Sequence, residues 1–151
     1  MSFSGRPQSF MEQTIVTDVF FPELSLGEFQ NLHRVPSNIA DAAVAHQVTV
    51  AVEHVNTLLN EQQANWHAAG FISLVAVDNA NQRALVSLYK TAVYYLAKAN
   101  LLADFQTFSR RDIAENQATE ADTTRQTLLA QHRKAVRRLQ GKLGNIDAEL
   151  L

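Results

Sequence analysis

Five histidines have the broadest chemical reach in this chain of 151 residues, and their spacing decides what they can do. Two metal ligands on one helix face sit three or four residues apart, as in a His-Glu-x-x-His site. His46 and His54 are eight apart, while His33, His67 and His132 stand alone. No Glu-x-x-His occurs, so a ferritin-like carboxylate centre is not expected. Cysteine is absent, which removes thiolate metal sites, thiol catalysis and a disulfide scaffold together. No serine sits in a Gly-x-Ser-x-Gly elbow, and the five glycines form no phosphate-cradling loop. Glu53 and Glu61, eight residues apart, have the spacing of solvated carboxylates. We therefore expect no catalytic residue, no metal and no cofactor. The chain reads as a non-enzyme.

Charge is more informative. Residues 1–82 hold eight acids and two bases, a net −6, and residues 83–151 hold eleven bases and seven acids, a net +4. Opposed ends let copies mate head-to-tail, and such heterologous contacts close into rings. The stretch from Arg125 to Lys142 carries six bases and no acid. On a helix, Arg133, Lys134, Arg137 and Arg138 fill an arc of about 140°, opposite Leu128, Ala135 and Leu139. Such a face is either solvated surface that complements the helix dipole, or a contact for an acidic neighbour or for duplex DNA phosphates. Asp112, Glu115, Glu120 and Asp122 precede it and would meet the next subunit's bases in a ring. A near-neutral total of −2 argues against a general nucleic-acid binder. A small cytoplasmic helical protein that grips DNA through Arg133–Lys142 stays open as the alternative.

These residues need elements to position them. Hydrophobic residues make up 46% and charged residues 19%, the balance of a globular domain. No run approaches the ~20 apolar residues of a membrane span, and the polar start lacks a secretion signal. Residues 1–17 read as a flexible arm, interrupted by Gly5 and Pro7. Ser25 caps a short helix to Leu32, with Glu28 completing the capping box. Val44, Val48, Val52, Val55, Leu59 and Trp66 stripe one face of a first long helix. We place it from Asn38 to Ala69, capped by Ser37 and stopped by Gly70; 32 residues would span about 48 Å.

Phe71–Val77 reads as a buried connector, and Asp78-Asn79-Ala80-Asn81 as the turn after it. Leu85, Leu88, Ala92, Leu96, Ala99 and Leu102 mark a second long helix from Asn81 to Phe105. Residues 106–118 form a link, and a third long helix runs from Thr119 to Gly141. The expected fold is all-α, a bundle of three long helices plus one short N-terminal helix with extended terminal segments. Its domain plan is an arm (1–17), a bundle (18–141) and a tail (142–151). The tail holds Leu143, Ile146, Leu150 and Leu151, and either folds back on its own core or docks on another chain.

Four blocks, in order, resemble the phage head completion protein family. They are Phe20-Phe21-Pro22-Glu23; Val55-Asn56-x-x-Leu59 closing on Ala69-Gly70; Tyr89-Lys90-x-Ala92-Val93-Tyr94-x-x-Ala97-x-Ala99-x-Leu101; and Arg133-x-Ala135-Val136-Arg137-Arg138-x-x-Gly141. The likeness covers residues 18–151. It departs at 109–117, where the family often has a glycine and this chain has Asn116-Gln117. The resemblance implies a helical head–tail connector in the virion, assembled in the host cytoplasm. It would join the portal as a dodecameric ring after packaging, retain the double-stranded DNA passing through it, and seat a tail-side neck protein. It also points to Ile146, Leu150 and Leu151 as portal contacts. Phe20 and Phe21 brace either the bundle or a neighbouring subunit.

Overall fold

The structure, a computed structural model, describes residues 13–16, 18–36, 38–108 and 115–142, with side chains for all of these outside 105–123. Helix dominates, as expected, but the described residues form six helices and a two-stranded ladder. β1 (Thr14–Ile15) pairs antiparallel with β2 (Leu24–Ser25), and Leu26 donates its N–H to the Gln13 carbonyl at 3.0 Å. Part of the segment read as a loose arm is therefore pinned to the bundle.

Ser25 caps α1 (Leu26–Leu32), its Oγ accepting from the Glu28 N–H at 3.1 Å. Glu28 does not complete a box. Its carboxylate turns to α5 (Leu85–Phe108), where it takes Lys90 Nζ at 3.1 Å and the Tyr94 hydroxyl at 2.9 Å. A tertiary pair has outbid a local cap.

The first long helix begins later than expected and is interrupted. α2 spans Asp41–Leu58 and α3 spans Asn60–Ala68, with Leu59 between them at φ −98°, ψ 6°. The Leu59 N–H is shared between the Val55 and Asn56 carbonyls at 3.0 and 3.2 Å, a tightened last turn. The valine stripe is nonetheless the core face: Val44, Val48, Val52, Val55, Leu59 and Trp66 are all buried. α3 ends as predicted. Gly70 sits at φ 95°, Gly70 N–H reaches His67 O and Phe71 N–H reaches Trp66 O, the paired bonds of a glycine-closed helix end.

The connector at 71–77 is where the expectation fails. Ser73 Oγ accepts from Ala76 N–H at 3.1 Å and caps α4 (Leu74–Asn81), whose Leu74 and Val77 are buried. The residues read as a turn, Asp78–Asn81, are its last turn, and the chain reverses at Gln82 in the left-handed region, φ 50°. Asp78 still marks a boundary, because its Oδ1 accepts from Leu85 N–H at 3.0 Å and caps α5 across the reversal.

α6 (Glu115–Leu139) returns along α5 and takes in residues expected to form the link. His132 of α6 meets Ala92 of α5, and Gln140 Nε2 donates to Leu58 O of α2 at 2.9 Å. α5 thus runs antiparallel to α2, through Asn56–Tyr89 and Gln47–Asp104, and to α6.

Candidate functional site

The basic face is built by α6. Burying Leu128, His132, Ala135, Val136 and Leu139 against α5 forces Arg133, Lys134, Arg137 and Arg138 outward, and all four are exposed. Gly141 at φ 74° closes the helix, with Gly141 N–H on Arg138 O and Lys142 N–H on Arg137 O. Arg137, Arg138 and exposed Lys142 thus stand at the dipole's negative end, with Arg133 and Lys134 one turn earlier.

Beneath that face the fold joins two histidines that the sequence separates. His54 of α2 and His132 of α6 have ring centroids 5.9 Å apart. His132 is 4% exposed, and its Nδ1–H donates to the Ala92 carbonyl at 2.8 Å. Burial pushes its pKa below the ordinary value; the nearby His54 and Arg133 push the same way, against the raising effect of the Ala92 bond. Among the described residues no group of three or more His, Asp or Glu is placed to hold a metal ion.

Phe20 and Phe21 lie inside this chain's own core, 3% and 4% exposed, so they offer a neighbouring protein almost no surface. Phe20 stacks on Trp66 at 5.8 Å and Phe21 on Tyr89 at 4.8 Å. Asp18 holds the segment in place, taking Phe20 N–H at 2.8 Å and Gln63 Nε2 at 3.2 Å, while Phe20 O receives Leu74 N–H at 2.9 Å. The portal candidates Ile146, Leu150 and Leu151 lie outside the described residues.

Sequence spacing missed a second cationic site. His33 closes α1 against α5, edge-on to Tyr95 at 5.0 Å and to Tyr94 at 5.7 Å. Arg34 follows in the left-handed region at φ 50°, where a side chain is strained. Half-buried Lys98 is held below its usual pKa by desolvation and by the Arg34 charge. Burial, then Lys98, also lowers His33. These residues are 65 positions apart at the extremes of the group, His33 and Lys98, and only the left-handed, non-glycine Arg34 breaks a local rule; no motif announces it.

The model of the phage head completion protein (GPL) family matches residues 15–150. The probable head completion/stabilization protein of Haemophilus phage HP1 is 29% identical over 143 residues, covering 93% of this chain and 94% of that protein. The head completion/stabilization protein of Escherichia phage P2 is 27% identical over 134 residues, covering 87% and 79% respectively. No solved structure matches significantly. With the four ordered blocks spread over the core helices and the match running through nearly all of it, the chain belongs to the phage head completion protein (GPL) family.

Proposed function

We propose that this chain is a structural subunit of the phage neck, docking on the portal vertex once DNA is packaged. Copies join as a ring, dodecameric to match the portal, that helps retain the genome and presents the seat for a tail-side neck protein. The observation that carries the reading is the family match over residues 15–150, supported by relatives named for completing and stabilizing the head. The physics agrees. A rigid helical body with an acidic first half and an exposed basic helix end can set the orientation of neighbours through charge, while apolar contacts supply affinity.

Removing the chain from the phage tests this. Heads assembled without it should package DNA, then lose it and fail to accept tails, and supplying the chain in trans should restore both. Stable, tailed, infectious particles made without it would overturn the reading.

A further inference from the structure

Among the described residues, α4 meets the start of α5 through Asp78 and Leu85, and three other helices each cover a flank of it. α1 covers the flank of Lys90 and Tyr94, α2 that of Tyr89 and Asp104, and α6 that of Ala92. At ~100° per residue the remaining flank carries Leu88, Thr91, Tyr95, Lys98 and Leu102. All five are half-buried. Leu88, Tyr95 and Leu102 recur every seven residues, an apolar stripe about 21 Å long.

Its rim is cationic. Arg34 and Lys98 stand near its middle, beside Tyr95, and the nearest acids of α1 and α5 are engaged elsewhere, Glu28 with Lys90 and Tyr94, Asp104 with Gln47. The antiparallel register set by His132 and Ala92 puts Arg138 level with Val86, on the side of α6 turned from α2. An apolar stripe with bases along its rim fits an acidic, apolar polypeptide. Duplex DNA offers no apolar stripe, and the half of the chain that holds Arg34 has a net charge of −6.

The chain itself contains such a segment. Residues 143–151 carry Ile146, Leu150 and Leu151 with Asp147 and Glu149, and no base. Nine residues reach up to ~30 Å when extended, more than the stripe requires. Gln140 ties the end of α6 to Leu58 of α2, away from this chain's own stripe.

We propose that residues 143–151 of one copy dock on the α5 stripe of the next, with Asp147 and Glu149 facing Arg138 and the Arg34–Lys98 pair. Each copy then gives one segment and receives one, as a head-to-tail ring requires. The proposal rests on the ring reading above and names the contact that closes it. The family resemblance pointed this segment to the portal, while the residues themselves left open whether it folds back or docks on another chain; the α5 stripe is a receptor within the chain.

The absence of cysteine makes the test clean. Full-length Leu150→Cys and a tagged full-length Thr91→Cys are mixed and oxidised mildly. The mixed disulfide should form roughly fivefold faster than either symmetric one, because docking raises the effective concentration of the pair. Adding Arg34→Glu and Lys98→Glu to the Thr91→Cys chain should abolish the preference. Equal rates for all three disulfides would overturn the proposal, as would a chain carrying both cysteines that closes on itself as a monomer. Failure of the neck reading is scored separately, in particles lacking the chain.

Discussion

Buried rings set the chemistry of this molecule at the scale of single residues. The phenols of Tyr89 and Tyr94 are pushed well above their ordinary pKa by burial, so both stay neutral donors, to Asn56 at 2.7 Å and to Glu28 at 2.9 Å. His33 and His132 are pushed the other way, burial disfavouring their charged forms. In the folded chain each therefore binds a proton less readily than in the unfolded chain, so stability is fully present above the unfolded value near 6.5 and declines as pH falls through it. Denaturant midpoints measured from pH 7.5 to pH 5 should fall, and His132→Asn, which keeps a donor for the Ala92 carbonyl, should fall less steeply. Identical midpoints across that range would contradict the account.

Elements differ in how well they can be read before folding. The valine stripe from Val44 to Trp66 marks a buried face because it runs several helical turns; of the α5 positions Leu85, Ala92, Leu96 and Ala99 are buried, whereas Leu88 and Leu102 are only half-buried. Gly70 and Gly141 mark helix ends because a left-handed residue favours glycine whatever packs nearby. α4 escaped because eight residues with Leu74 and Val77 inside give barely one period, and because Asp78, a turn former by type, caps the following helix instead. The break at Leu59 has no local signature; it places Trp66 on Phe20, a contact between residues 46 apart. For the same reason the Arg34–Lys98 pair was invisible, whereas the basic face of α6 was legible as a simple arc of one helix. That face yields an element-scale prediction. Arg133→Glu with Arg137→Glu should leave helix content unchanged, since all its bases are exposed, yet weaken ring assembly roughly tenfold at low salt, with the loss shrinking as salt rises. Unchanged assembly would contradict this role, and duplex DNA binding by the isolated chain that falls steeply with salt would assign the face to DNA instead.

At the scale of the whole molecule, the fold is a bracketed bundle. The β1–β2 ladder ties the N-terminal side down, the Phe20–Phe21 segment wedges α3 and α4 onto α5, and α6 closes the bundle while keeping its charge outside. Such a body suits a part that must hold its shape while larger assemblies meet on it. Val19 and Ile72, 92% and 82% exposed, lie on segments joined by the Phe20–Leu74 bond and keep apolar surface available beside that wedge. The place proposed for this chain is the neck of the virion. Labelled antibody or a fused density marker on the chain, imaged on purified particles, tests it most directly. The account predicts label at the single portal vertex, between head and tail, in multiple copies per particle; label scattered over the capsid shell, or none on infectious particles, would contradict it.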